Sequence, residues 1–213
     1  MADISVMLAF MASRNTRETT ELVGRGEVSI VLCNLARMVL MYSKWPKISW
    51  EPFGFCGPQL SANWIHKTRT VGFIGFGRIS KATLARLVPF GFTDCVYTSN
   101  PLSKPDPEAD AQTAQKFNLR SVRRVGLDEL AAASDVVFVL APGGAETKHI
   151  VNEEFLRKMK KTAVLVNTAR GTLVDSDALT KALKEQWIWG AGLDVVEGEP
   201  NVGLDHPLLK EPR

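Results

Sequence analysis

Several features that would mark a function class are scarce or missing. The 213 residues hold only three cysteines, Cys33, Cys56 and Cys95, far apart and without the spacing of a metal site or a disulfide framework. Reduced thiols, no bound metal and a cytoplasmic setting are therefore expected. No stretch reaches the roughly 18 uncharged apolar residues of a membrane span. The opening M-A-D-I-S-V-M-L-A-F has neither a basic leader nor a cleavage site, so neither a membrane nor secretion is expected. Charge of one sign is lacking too: 26 Lys and Arg against 23 Asp and Glu leave a formal +3. That charge is spread along the chain and argues against a nucleic-acid partner. There is no internal repeat and no low-complexity segment. Histidine is sparse, and neither His66 nor His149 has a carboxylate partner in its local sequence, so neither is expected to be catalytic.

What is present is a 45% apolar content, enough for one large domain or a domain with an attached arm. The most informative stretch is T-V-G-F-I-G-F-G-R-I-S, residues 70–80. It reads as a buried strand entering a glycine turn, Gly75 and Gly77, and passing straight into a helix. In that order a glycine fingerprint points to dinucleotide binding. Gly75 allows the tight turn, Gly77 lets backbone approach a pyrophosphate, and the helix N-terminus offers free N–H groups and a positive dipole end. Ser80 stands where the fingerprint has its third glycine, so the helix–strand contact must admit a hydroxymethyl group.

Around this turn the pattern divides the chain. Residues 4–26 read as a helix ended by Gly24 and Gly26. Residues 28–42 are strongly apolar and fit either a buried helix or a pair of strands. Residues 45–64, with Pro46, Pro52 and Pro58, read as an irregular loop. From residue 70 onward strands and helices alternate. The strands are expected at residues 71–74, 95–98, 136–140, 163–166 and 190–195. Helices are expected after Gly77, up to Phe117, after Asn152 and from Asp175 to Gln186, with Ala178, Leu179, Ala182 and Leu183 facing inward, and a short amphipathic turn over 128–133. Continuous apolar strands alternating with helices imply an α/β, doubly wound parallel sheet. The domains expected are an arm over 1–67, a dinucleotide-binding domain over 68–200 and a short segment over 201–213.

In such a fold a carboxylate about 20 residues past the glycines grips the ribose of NAD. Here the second strand ends in Tyr97-Thr98-Ser99-Asn100, and Asp94 lies before it, at the wrong end. With no carboxylate to repel a 2′-phosphate, and with donors from Ser99, Asn100, Ser103 and Lys104, NADP(H) is favoured, NAD(H) being the alternative.

The runs V-N-T-A-R-G-T-L-V-D, residues 166–175, and G-A-G-L-D-V-V-E-G-E-P, residues 190–200, resemble the D-isomer-specific 2-hydroxyacid dehydrogenases, with glyoxylate and hydroxypyruvate reductases as the nearest branch. The resemblance implies a Rossmann domain and hydride transfer between a nicotinamide and a small 2-oxo or 2-hydroxy acid. It gives Arg170 the substrate carboxylate, whose two oxygens suit a rigid guanidinium fork. It gives Glu199 the pairing with an acid–base histidine, and Asp194, Thr168 and Ala169 the nicotinamide pocket. Arg78, Ile79 and Ser80 match the pyrophosphate turn, Pro142 a cofactor contact after the fourth strand, Gly171 a structural turn, and His206 a position other than the acid–base histidine. That histidine belongs to a motif expected beyond Arg213, and most of the substrate domain is also expected outside this sequence. Impaired turnover follows, since a general acid is worth about 10² to 10⁴-fold. Residues 28–44 match nothing in the family and are expected to be an insertion of gene-model origin. Residues 4–26 and 45–64 resemble the part through which such enzymes form homodimers. The other reading is a non-catalytic dinucleotide-binding module or subunit-pairing fragment.

Overall fold

A computed structural model describes residues 1–13, 68–203 and 206–210. The expectations for residues 14–26, the apolar stretch 28–42 with its insertion, and the irregular loop 45–64 lie outside the described residues.

The first element is helix α1, Ala2–Ser13. From residue 69 the chain alternates: β1 Arg69–Ile74, α2 Arg78–Leu87, β2 Phe92–Thr98, α3 Pro107–Lys116, β3 Ser121–Arg124, α4 Leu127–Ala133 and β4 Val136–Val139. Then follow α5 Glu153–Lys158, β5 Val164–Asn167, α6 Ser176–Lys184, β6 Gly190–Leu193 and a final turn of helix, α7 Pro207–Lys210. The six strands form one sheet in the order β3-β2-β1-β4-β5-β6, every pair parallel. This is the doubly wound dinucleotide-binding order.

The strands are apolar on both faces because both faces are covered. Val71, Phe73, Phe138, Val164 and Val166 point to the face packed by α1 and α2. Ile74, Val96, Val137, Val139 and Leu165 point to the other, where α4, α5 and α6 pack. Helix starts follow side-chain chemistry: Asp106 accepts from Ala109 N, Asn152 from Phe155 N, and Asp175 from the amides of Asp177 and Ala178. The inward line of α6, Ala178, Leu179, Ala182 and Leu183, is buried as expected.

Some local readings change. The buried line of α2 is Ser80, Thr83, Leu84 and Leu87, while Ile79 is 45% exposed. Half of that line is hydroxylic, so apolar spacing alone misplaces the face. Strand β2 begins at Phe92, three residues earlier than expected, so Asp94 lies inside it. Its carboxylate takes a two-point bond from Arg120 (2.9 and 2.8 Å) and bonds from Ser121 and Thr93, at the end of the strand remote from the glycine turn. Strand β3 was not foreseen; only Val122 of S-V-R-R is buried, so it carries almost no apolar signal.

Helix α1 lies across β5 and β6, and two glycines make room for it. A Cβ on Gly192 would sit 2.8 Å from Leu8 Cβ, and one on Gly190 would sit 3.2 Å from the Ala12 carbonyl oxygen. One turn of helix rises about as far as two residues of strand, so Leu8 and Ala12 meet alternate strand positions. Ser5 Oγ and Thr168 Oγ1, both buried, pair at 2.7 Å, and Trp189 Nε1 donates to Ser13 O at the other end. Among the described residues no helix is long and apolar enough to cross a membrane.

Two outcomes test this packing. Gly192→Val should push α1 off the sheet and cost about 1–3 kcal/mol, read as a lower urea midpoint. Burial pushes the Asp94 carboxyl up, but the bonds from Arg120, Ser121 and Thr93 overcome it and hold the group below its ordinary range. A lowered carboxyl pKa contributes stability that is complete above the unfolded value, about 3.9, and is lost as pH falls through the folded value. Asp94→Asn should therefore be less stable at neutral pH and lose less on acidification below about pH 4, measured by denaturant unfolding at a series of pH values.

Candidate active site at the carboxyl edge of the sheet

Because all six strands run the same way, the loops leaving their carboxyl ends gather on one edge. The strand order reverses between β1 and β4, the crevice where open α/β sheets take ligands. Gly75 ends β1 at φ +91°, and a Cβ there would lie 2.8 Å from the backbone of Ala141 just past β4. Gly75 N donates to Thr98 O, and Leu140 N to Ile74 O, so the turn is tied to both neighbouring strands. A side chain at this position would have to force those strands apart.

Gly77 plays a different part. A Cβ built on it meets no atom within 4 Å, so its face of the turn is open. It caps α2 without a side-chain bond, and the first turn of α2 holds no acidic residue. The first internal bond of the helix is Lys81 N to Gly77 O, leaving the amides of Arg78, Ile79 and Ser80 ahead of it. Open approach, free amides and the positive end of a ten-residue helix fit the pyrophosphate of a dinucleotide. Arg78 and Ile79 are exposed on that side. The Ser80 side chain is not: it is 1% exposed and its hydroxyl donates to Gly75 O at 2.6 Å. The hydroxymethyl group thus braces the turn from within, and only the Ser80 backbone faces the open side.

At the tip of β2, Ser99 and Asn100 are exposed. Asn100 Oδ1 accepts from Leu102 N, and Ser103 Oγ donates to Asn100 O, so residues 99–103 close on themselves. No carboxylate stands in residues 99–105, and that of Asp106 is engaged in capping α3. Arg124, at the end of β3, donates to Ser103 O and Asn100 O at 2.7 and 2.8 Å. The sequence reading missed this arginine because the strand carrying it has no apolar pattern. Tyr97 lies beneath the tip; burial and its bond to Asp110 push its phenol well above the usual range.

The remaining candidates follow β4, β5 and β6. Pro142 is exposed, and its carbonyl accepts from Thr147 Oγ1. The buried Asn167, at the end of β5, shapes the loop after it: Nδ2 donates to Arg170 O and Oδ1 accepts from Ala169 N. Thr168 is 3% exposed, its hydroxyl engaged with Ser5; Ala169 is half-buried. The Arg170 side chain is exposed, one guanidinium N–H bonded to Ala169 O and the stem beside Gly143. Asp194 is exposed, and its amide donates to Asn167 O. Glu199 is exposed and accepts from Val196 N at 2.9 Å. A Cβ on Gly171 would lie 2.1 Å from Val196 O, so glycine there lets the arginine loop and the 194–199 segment touch.

His149 has a carboxylate partner after all, one that local sequence could not show. Its Nε2 lies 2.8 and 2.9 Å from the oxygens of Glu197, 48 residues away, and its Nδ1 is 3.9 Å from Asp175. This pair ties the loop before α5 to the segment carrying Glu199. Neither described histidine is bonded to Glu199 itself, since His206 accepts from Leu208 N. Among the described residues no cluster of metal-ligating side chains occurs.

Residues 29–213 match the family model described as D-isomer specific 2-hydroxyacid dehydrogenase, NAD binding domain. The chain belongs to this family. Among its relatives, the glyoxylate reductase of Thermofilum pendens is 40% identical over 196 residues, covering 90% of this chain and 52% of that protein. The glyoxylate reductase of Thermococcus onnurineus is 37% identical over 201 residues, 93% of this chain and 50% of that one. Among solved structures, a glyoxylate reductase from Paecilomyes thermophila superposes with a TM-score of 0.70 at 29% identity, covering 99% of this chain and 52% of that one. The NAD-dependent formate dehydrogenase of Staphylococcus aureus, in complex with NAD, gives 0.71 at 28% identity, covering all of this chain and 52% of that one. The chain thus spans about half the length of the relatives it matches.

Gly75→Ala must place a Cβ against the Ala141 backbone at a positive φ, which costs an L-residue about 1–2 kcal/mol before any clash. The expected outcome is at least a tenfold weaker affinity for a nicotinamide dinucleotide, about 1.4 kcal/mol, measured by fluorescence titration of the reduced cofactor.

Proposed function

We propose that this chain is the cofactor-binding part of an NADPH-dependent reductase of small 2-oxo acids, with glyoxylate or hydroxypyruvate as substrate. One observation carries the reading: the Asn167-braced loop presents the exposed guanidinium of Arg170 on the same sheet edge as the open glycine turn. The glyoxylate reductases among the relatives support the substrate class. The carboxylate-free tip of β2 supports NADPH over NADH, because it has donors for a 2′-phosphate and no acid to repel one.

In the reaction, a 2-oxo acid, NADPH and a proton give a 2-hydroxy acid and NADP⁺; the bound cofactor supplies the hydride. The chain's own residues bind and orient. The free amides at the start of α2 take the pyrophosphate, and Asp194 accepts a hydrogen bond from the nicotinamide carboxamide. Ala169 walls that pocket, and Thr168, bonded to Ser5, supports it from behind. Arg170 holds the substrate carboxylate and polarises its carbonyl through a rigid fork. Glu199 stands at the acid–base position, where a carboxylate beside a histidine raises the imidazole pKa and keeps it ready to donate. That histidine and the wall of the cleft that excludes water belong, in this reading, to the remainder of a full-length enzyme, with residues 1–67 pairing two subunits.

Two measurements on the 213-residue chain separate the readings. NADPH should bind saturably, while turnover of glyoxylate and hydroxypyruvate should be slow. Binding with no turnover at all would favour a non-catalytic dinucleotide-binding module, and absence of binding would remove both readings. Where turnover is measurable, Arg170→Ala should lower kcat/KM by about 100-fold while leaving the NADPH Kd within about twofold.

A further inference from the structure

Resting on the NADPH reading above, we infer that Arg124 is the specificity-determining residue for the cofactor, its guanidinium standing where the adenosine 2′-phosphate would lie. Strand β3 pairs with β2 in a register that sets Arg124 beside Tyr97, two residues before the exposed tip of β2 begins at Ser99. The two arginines of β3 point to opposite faces, as successive strand residues must. Arg123 is bonded to Glu129 on α4 at 3.0 Å. Arg124 turns instead to the tip loop, and among the described residues no carboxylate pairs with it.

Its two terminal nitrogens each hold one carbonyl of that loop, Ser103 O and Asn100 O. This grip fixes the guanidinium at the tip while leaving further N–H donors unengaged. It also folds the loop so that Ser99 Oγ and Ser103 Oγ lie 3.4 Å apart, with Lys104 next in sequence and exposed. A delocalised cation beside two hydroxyls is a donor set for a phosphate, and a guanidinium recognises phosphate oxygens at more than one point. A ribose 2′-hydroxyl gains little from such a set, and the diol of NADH finds no carboxylate here to accept its bonds. The preference therefore comes from a residue on the neighbouring strand, about 25 positions beyond the tip where sequence reasoning looks for it.

The competing role is that Arg124 only clasps the loop. The two differ in a ratio. Arg124→Gln keeps an amide donor for the loop carbonyls but removes the charge; Arg124→Lys keeps the charge without the fork. Purified wild type and both variants would be titrated with NADPH and NADH. Adenosine 2′,5′-bisphosphate and AMP would be measured by displacement. Arg124→Gln should weaken NADPH and the bisphosphate about tenfold and leave NADH and AMP within about twofold. Arg124→Lys should fall between. The undiminished NADH affinity reports that the variant is folded. Parallel weakening of all four ligands, or no change in any, would overturn the inference and leave a structural clasp. Wild type that does not discriminate the bisphosphate from AMP would sink the NADPH reading, and this inference with it.

Discussion

Where β1 and β4 part, the backbone of Gly75 rests against the backbone of Ala141 with no space for a side chain. The two halves of the sheet wind in opposite directions from this line, so a wider separation there would disturb both. The bond from Ser80 to Gly75 O ties the start of α2 to the same point, and Gly75 N and Leu140 N complete the link to β2 and β1. The direction in which α2 aims its free amides is thus set by a backbone contact rather than by any side chain that could touch a ligand.

A second set of close approaches organises the other half of the edge. Gly190 and Gly192 let α1 lie on β6, Ser5 reaches Thr168, and Gly171 lets the arginine loop meet Val196. Asn167 then shapes the loop from within, and His149 with Glu197 secures the segment that follows β6. Exposed Arg170 and Asp194 are carried by backbone that the buried Asn167 holds in place, and the segment with Glu199 is tied by the half-buried His149–Glu197 pair. Buried polar groups that are fully bonded give such loops one arrangement, because leaving any of them unpartnered costs about 1–3 kcal/mol.

Much of this was legible beforehand, and the reasons are physical. Val136–Val139 and Val164–Asn167 read as buried strands because both faces of a parallel sheet exclude water. Asn152 and Asp175 marked helix starts because a short polar side chain meets the orphan amides there. The glycine turn, the arginine loop and the G-L-D-V-V-E-G-E-P run all fell at strand ends, where the sheet delivers them to one edge. Strand β3 was not legible, since its pairing with β2 rests on backbone bonds that leave no apolar pattern in S-V-R-R. The inward face of α2 is hard to read from apolar spacing because Ser80 and Thr83 share it with Leu84 and Leu87. Asp94 was assigned correctly to the far end of β2 but not to the strand itself.

The sequence by itself determined the alternation of elements, the glycine turn and the residue types that can bind an anion or a carboxylate, because each depends on neighbours within a few positions. Only the tertiary structure decided which distant residues share a site. The pairing of His149 with Glu197, of Thr168 with Ser5 and of Arg124 with the 99–103 loop each joins segments well separated along the chain. The parallel sheet brings such partners together through strand order and register, and these are set by packing over the whole core rather than by local pattern.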